Sequence, residues 1–136
     1  MADYCVKRID DMEAIYWGAF RRARGELDIT SFGAQVLEFP PNATGYPEHD
    51  HAGDGQEELY VVLRGGGEIE IDGDRHAIDP DTMVSVKANA RRKVFPGDEG
   101  MRLLVVGGTP GRVYEFPEIS VLGSPDPVAG MDPPAQ

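Results

Sequence analysis

Residues 58–78 read ELYVVLRGGGEIEIDGDRHAI, and their pattern decides the fold class. ELYVVL (58–63) is a nearly continuous apolar run, as expected of a strand buried on both faces. GEIEID (67–72) alternates with a period of two, so its isoleucines share one face and its acidic residues the other. Asp72-Gly73-Asp74 is a hairpin signal, and RHAI (75–78) returns from it. The stretch therefore predicts consecutive short strands rather than helices.

The same pattern continues on both sides of this stretch. Further strand-like segments are AQVLEF (34–39), TMVSVKA (82–88), ARRKVF (90–95) and MRLLVVGG (101–108). Turn sequences separate these segments at intervals of about 8 to 12 residues, with no helical pattern between them. The 17 glycines and 11 prolines of the chain suit such turns. Roughly seven or more short strands at this spacing are typical of an antiparallel sandwich or barrel.

The two ends of the chain differ from this β-rich centre, residues 32–116. In residues 1–31, Asp10-Asp11 precedes an apolar spacing that predicts one or two short helical segments. We expect this N-terminal arm to pack on the main body. The arm also carries a small basic cluster that we expect to be solvated: Arg21, Arg22 and Arg24. Residues 117–136 contain five prolines, which predicts an extended or disordered tail on the surface or on a partner subunit.

Length and charge exclude several classes of function. At 136 residues the chain is long enough for one domain with a core and too short for two. Its net charge of −11 makes nucleic acid and anionic membrane surfaces poor partners, because both are negatively charged. The single Cys5 permits no intramolecular disulfide, and the N-terminus lacks the pattern of a secretory signal. We therefore expect a cytoplasmic protein with neither nucleic acid nor membrane as a partner.

The residues best suited to chemistry lie just before the buried strand. His49 and His51 are two residues apart, so on a strand both imidazoles point the same way and can converge on one ion. A carboxylate from the next strand would complete a set of two histidines and one carboxylate. Glu57 and Glu58 both offer one, but they face opposite sides of their strand, so only one can join. His76, after the hairpin, is expected at the surface.

These residues resemble the first conserved motif of the cupins. That motif runs glycine, five residues, HxH, three or four residues, glutamate, six residues, glycine. His49 and His51 match the HxH, and the six residues before Gly65 select Glu58 as the glutamate rather than its neighbour. The loop between the histidines and this glutamate is longer than usual, and the leading glycine has no counterpart. The resemblance covers roughly residues 32–115.

The resemblance implies a small single-domain conserved-barrel cupin, that is, an all-β jelly-roll β-barrel, here with the short helical arm at its N-terminus. It also implies a divalent metal (iron, manganese, nickel or zinc) held in the barrel mouth by His49, His51 and Glu58. Members commonly dimerise, so a homodimer is expected. Cupins include dioxygenases, isomerases, decarboxylases and pure binding proteins. The resemblance therefore names no reaction and leaves open whether the protein is an enzyme.

The second cupin motif is degenerate in this chain. When the motif is laid on the sequence from Asp81 without a gap, its metal histidine falls on Arg92 and every signature residue is changed. A guanidinium stays protonated and has no acceptor, so it cannot ligate a cation. Two like unit charges about 4 Å apart cost on the order of 4 kcal/mol at an effective dielectric near 20. The usual four-ligand metal site is therefore not available.

Three interpretations of the pocket stay open. In the first, the three ligands hold a metal and Arg92 binds an anionic substrate. In the second there is no metal, Arg92 pairs with Glu58, and the pocket binds a small carboxylate or phosphate through Arg92 and the histidines. In the third the site is vestigial and the domain serves in structure or interaction. Tyr60 shares the face of Glu58, where its hydroxyl could orient a ligand or its ring could pack in the core. The sequence thus predicts a pocket for a small polar or anionic ligand, with or without a metal.

Overall fold

A computed structural model describes residues 3–134 of the chain, and in this range the protein is mainly β-sheet. The strands are β1 (Ala14–Ile15), β2 (Phe20–Arg21), β3 (Gly33–Phe39), β4 (Glu57–Ile71), β5 (Asp74–Ile78), β6 (Met83–Val86) and β7 (Arg92–Gly108). The helical elements are short: α1 (Ala23–Glu26) and two 3-10 turns, Ile9–Asp11 and Glu118–Ser120. No helix among the described residues is long and apolar enough to cross a membrane.

All strand pairs are antiparallel and belong to one sheet. Its order is β1-β2-β3-β7-β4-β5, and β6 pairs with the first part of β4. This confirms the predicted all-β class. The hydrogen-bonded order does not close on itself, so the predicted closed barrel is not observed. A further isolated bridge joins His49 to Arg92, and it brings the histidine segment to the start of β7.

The long strands β4 and β7 bend where glycine allows two backbones to approach. The pairing between β4 and β7 shifts register between Val62 and Arg64 and again between Gly65 and Gly67. Gly65 has a φ of +77°, and a Cβ there would collide with the backbone of Gly100. A Cβ on Gly67 would collide with the carbonyl of Phe95. The predicted segments 58–63 and 67–72 are therefore two halves of the single bent strand β4. The predicted segments 90–95 and 101–108 are likewise parts of the single strand β7.

The inner face of the bent sheet carries the core. Its residues come from β3 to β7 and are Leu37, Tyr60, Val62, Ile69, Ile78, Val86, Val94, Met101, Leu103 and Val105. Ile69 and Leu103 have no exposed surface. A smaller cluster, Met12, Ala23 and Val36, packs the N-terminal residues on the outer face of β3.

The predicted helical arm at the N-terminus is not confirmed. Its apolar residues instead flank a reversal between β1 and β2. Tyr16 and Trp17 both have positive φ angles, 53° and 57°, and Gly18 follows with a φ of 88°. Such angles are incompatible with a right-handed helix, so the spacing that predicts a helix here serves a tight turn.

The predicted solvated basic cluster is wrong for two of its three arginines. Arg22 is 1% exposed and Arg24 is 5% exposed. The Arg22 guanidinium donates to the carbonyls of Ile119 (2.7 Å) and Ser124 (2.9 Å). Arg24 donates to the Ser120 hydroxyl (2.8 Å) and the Ser120 carbonyl (3.1 Å). Both arginines therefore fasten the C-terminal segment, residues 112–134, to the N-terminal residues.

Candidate functional site

The two histidines sit on an extended segment that is fixed by backbone hydrogen bonds. The His49 N–H donates to the Arg92 carbonyl (3.0 Å), and the Arg92 N–H donates back to His49 (2.8 Å). The His51 N–H donates to the Ala88 carbonyl (2.8 Å). The two imidazole rings meet edge to face with their centroids 5.1 Å apart. The segment thus presents both rings on one side, as the i, i+2 spacing predicts.

The structure brings His49, His51 and Glu58 together. Their ligand atoms all lie within 4.8 Å of one another. Glu58 Oε1 is 3.2 Å from His51 Nε2 and 3.9 Å from His49 Nε2. Glu57 faces away and forms an exposed ion pair with Lys87 at 2.6 Å. Strand parity on β4 therefore decides which glutamate joins the histidines.

The other nitrogen of each ring has an acceptor as partner, which fixes the tautomer. His49 Nδ1 is 3.1 Å from the carbonyl oxygen of Pro47, and His51 Nδ1 is 3.2 Å from both carboxylate oxygens of Asp54. A carbonyl or carboxylate only accepts, so Nδ1 is the protonated nitrogen in each neutral ring. The Nε2 lone pairs then point toward Glu58.

This arrangement fits a metal cation. His51 Nε2 is buried and has no partner in hydrogen-bond geometry among the described residues, although it lies 3.2 Å from the Glu58 carboxylate. Two acceptor atoms at this distance repel each other unless a proton or a cation lies between them. Two imidazoles held through their outer nitrogens and one carboxylate are a common set of metal ligands.

Glu58 is held in its ionised form. Burial acts to raise its pKa, but the nearby imidazoles of His49 and His51 and the Tyr60 hydroxyl outweigh burial and hold the pKa well below its usual range. The shortest of these contacts is that of the Tyr60 hydroxyl, which donates to Oε1 at 2.8 Å. Burial raises the pKa of Tyr60 as well, so this hydroxyl keeps its proton. Tyr60 is thus a fixed donor behind the carboxylate.

The pKa of His51 is shifted in the opposite direction to that of Glu58. The Glu58 carboxylate raises the pKa of His51, with a further contribution from Asp54, and burial opposes the shift. In the absence of a metal, the proton that separates Nε2 from Glu58 is therefore held more tightly than in an ordinary histidine.

Arg92 lies behind Glu58 rather than in front of it. Its side chain has no exposed surface, and its Nη2 donates to the Lys87 carbonyl at 2.9 Å. Its Nη1 is 3.9 Å from Glu58 Oε1, and neither Nη1 nor Nε has a hydrogen-bond partner among residues 3–134. Neither Arg92 nor Tyr60 is part of the wall of the adjoining cavity. Both residues support the carboxylate from inside the protein, and their predicted contact with a ligand stays a prediction.

The three candidate ligands open onto a cavity of about 1490 Å³. Its floor is the inner face of β3 with the adjacent ends of β4 and β7. The remaining wall comes from residues 16–20, residues 43–47 and the C-terminal segment. Sequence reasoning missed these wall residues, because Trp17, Tyr46 and the C-terminal segment belong to no motif. The position of Tyr46 just before the histidines is the one signal that could have identified it.

Comparison with known proteins gives a family match for the sequence and similar folds among solved structures. The family model described as Cupin domain matches residues 35–107. A cupin protein from Bacteroides fragilis superposes with a TM-score of 0.66 at 17% identity, over 86% of this chain and 93% of its own. A protein from Photorhabdus luminescens gives 0.59 at 15% identity, over 81% and 90%. KdgF from Halomonas sp. gives 0.52 at 16% identity, over 61% and 72%. No curated protein matches the sequence. At these identities the structural likeness concerns the fold alone.

Proposed function

The chain belongs to the cupin domain family, and we propose that it binds a divalent metal through His49, His51 and Glu58. The metal would hold an oxygen-bearing ligand at the end of the adjoining cavity. The donor set of two imidazoles and a carboxylate suits iron, manganese, nickel or zinc. When bound, such an ion acts as a Lewis acid toward an oxygen of the ligand.

One observation carries this proposal. His51 Nε2 and Glu58 Oε1 face each other at 3.2 Å without hydrogen-bond geometry, while His51 Nδ1 is occupied by Asp54. A cation between these two atoms would remove their repulsion, and the ionised Glu58 would neutralise part of its charge. His49 Nε2, 3.9 Å from the same oxygen, would complete the three-ligand face.

Neighbouring residues would orient the three metal ligands and shield them from water. Pro47 and Asp54 orient the imidazoles through their Nδ1 atoms. Tyr60 orients the carboxylate, since its hydroxyl donates to the oxygen nearest the histidines. The largely apolar cavity limits access of water to a bound molecule. Outer partners of this kind commonly change metal affinity by roughly 10- to 100-fold when they are removed.

A second candidate function is metal-free binding, and one observation favours it. Arg92 is a fully buried cation 3.9 Å from Glu58 Oε1, so the carboxylate already has a positive partner. In that case His51 would carry the proton between its Nε2 and Glu58, and the site would bind a ligand through a hydrogen bond with His49 Nε2. The two candidates differ in whether the purified protein holds a metal.

Metal analysis by plasma mass spectrometry separates these candidates. The protein is produced without a histidine tag and purified without chelators, because a tag would itself bind metal. We expect close to one divalent ion per chain in the wild type and its loss in His51→Ala. His76→Ala is the matched control, since His76 lies on the exposed strand β5 and should leave the metal content unchanged. A wild-type protein that stays metal-free after incubation with each candidate ion would overturn the proposal.

A further inference from the structure

We propose that the ligand of this cavity is an uncharged molecule with a large aromatic or alkyl body, and that its polar end alone reaches His49, His51 and Glu58. This deepens the proposed function, on which the orientation of the polar end rests. The inference departs from the small polar or anionic ligand that the sequence predicts.

The size and the wall of the cavity both point to an apolar ligand body. Ligand sites commonly have volumes of roughly 300 to 1,000 Å³, and a cavity of about 1490 Å³ exceeds what a small polar metabolite needs. Large apolar and aromatic side chains dominate the wall beyond the histidines: Tyr16, Trp17, Phe20, Leu37, Phe39 and Tyr46. Burying a hydrocarbon body against such a surface is favourable, whereas a solvated polar group there would lose its water without gaining partners.

The charges around the cavity disfavour an anion. Its wall contains four carboxylate residues, Glu38, Asp54, Glu58 and Glu115, of which Glu38 is paired with Arg21 and Arg102. Apart from the histidines, the basic residue among the described wall residues is Arg112, which is exposed. Arg92, the cation that the sequence assigns to anion binding, is sealed behind Glu58 and has no exposed surface. Beyond the face formed by His49, His51 and Glu58, a ligand carboxylate or phosphate would therefore meet like charge without a buried arginine to hold it.

The C-terminal segment forms a fixed part of this wall. Val113, Tyr114 and Ile119 from its first part line the cavity, as do Pro133 and Pro134 from its end. The Trp17 indole N–H donates to the Met131 carbonyl at 2.8 Å, and the Tyr16 N–H donates to Asp126 at 3.1 Å.

Buried contacts hold the same segment from the other side. Arg22 and Arg24 bind its backbone, and the Arg24 guanidinium lies 3.8 Å from the centre of the Phe116 ring. The segment therefore forms one side of the cavity and is held in place by the two buried arginines.

A pair of fluorescent probes tests the inference. N-phenyl-1-naphthylamine is neutral, and 8-anilino-1-naphthalenesulfonate has the same rings with an added sulfonate. Both are titrated into chelator-treated wild-type protein, so that the result does not depend on a metal. We expect the neutral probe to bind about tenfold or more tightly than the sulfonate, because the sulfonate meets the carboxylates of the wall.

Variants that fill the cavity locate the bound probe. Ala19→Trp and Ala43→Trp each place a large ring in the cavity and should weaken binding of the neutral probe by about tenfold or more. Ala77→Trp adds the same ring on the exposed strand β5 and should leave binding unchanged. Circular dichroism of every variant confirms the fold, and either cavity variant suffices if the other misfolds.

The outcomes keep the two proposals apart. Equal or tighter binding of the sulfonate, or neutral-probe binding that survives the folded cavity variants, would overturn the inference even if the protein holds a metal. Neutral-probe binding in the cavity of a protein that never holds a metal would support the apolar ligand and overturn the metal proposal.

Discussion

Replacing Arg92 with methionine should strengthen metal binding at the histidine site. Arg92→Met removes a buried positive charge and keeps a side chain of similar length in the space. The Arg92 guanidinium is 3.9 Å from Glu58 Oε1. An ion bound to this oxygen at about 2.1 Å would therefore lie within roughly 6 Å of the guanidinium. In the wild-type protein, Arg92 thus repels a divalent ion at this site, although it also pairs with the Glu58 carboxylate.

The repulsion can be given a magnitude. A divalent ion and a unit charge about 6 Å apart repel by about 5 kcal/mol at an effective dielectric near 20. Part of this gain is lost, because Arg92 also helps to keep Glu58 ionised. His49, His51 and Tyr60 continue to hold the carboxylate in that form, so the loss is incomplete. We therefore expect the dissociation constant for the ion to fall by at least about tenfold, or roughly 1.4 kcal/mol.

Calorimetric titration of metal-free protein with Zn²⁺ near neutral pH measures the effect. Arg91→Met is the matched control, since the Arg91 side chain is half exposed and pairs with Glu48 at 3.0 Å and Asp50 at 3.6 Å rather than with Glu58. Arg92→Met also leaves the Lys87 carbonyl without its donor, at a cost of about 1 to 3 kcal/mol, so urea denaturation is run alongside. Unchanged or weaker Zn²⁺ binding in a folded Arg92→Met protein would refute the reasoning.

Three further predictions concern stability. Because the pKa of His51 is raised in the folded protein, His51 stabilises the fold fully below its ordinary value of 6.5, and this stabilisation is lost as pH rises through the raised pKa. Because the pKa of Glu58 is lowered, Glu58 stabilises the fold above its ordinary value of 4.5, and this stabilisation is lost as pH falls through the lowered pKa. Thermal melts of metal-free protein across a pH series should therefore be highest between these values, and added Zn²⁺ should raise the melting temperature more as pH increases; a Zn²⁺ effect that shrinks with pH would contradict this. Arg22→Met should lower the urea-derived free energy of unfolding by about 3 kcal/mol, because two partly buried carbonyls lose charged donors. Replacement of an exposed residue in Arg91→Met should change this free energy by less than about 1 kcal/mol, and equal effects of the two variants would show that Arg22 does not fasten the C-terminal segment. Gly67→Ala should cost more than about 2 kcal/mol in the same assay, since its Cβ has no room beside Phe95, and a neutral result would disprove that close approach.

The sequence predicts the β-rich centre well because its signals are local. Period-two alternation and turn residues depend on near neighbours, and they locate most of the strand segments. The joining of segments into β4 and β7 depends on Gly65 and Gly67 meeting backbone more than 25 residues away in the chain, such as that of Gly100. Hydrophobic periodicity contains no information on such an approach, so the bent strands could not be foreseen.

The candidate site is predictable in part for the same reason. The spacing of His49 and His51 is a local signal, strand parity allows only one of Glu57 and Glu58 to join them, and the motif spacing to Gly65 selects Glu58. A pairing of Arg92 with Glu58 is one of the alternatives that the sequence leaves open, but the complete burial of Arg92 is not predicted, since burial depends on packing from several strands. Arg22 and Arg24 are misjudged because their partners lie 97 and 96 residues away in the chain. The homodimer, the cytoplasmic location and the division at residues 31 and 116 stay predictions.

The most direct test of the account is a crystal of the metal-loaded protein with diffraction data collected at the absorption edge of the metal. The account predicts an anomalous peak within bonding distance of His49 Nε2, His51 Nε2 and Glu58 Oε1, with Arg92 still buried behind the carboxylate. The same crystal of His51→Ala should lack the peak. No peak in the wild type, with the Arg92 guanidinium hydrogen-bonded to Glu58 and a proton between His51 and the carboxylate, would contradict the metal proposal.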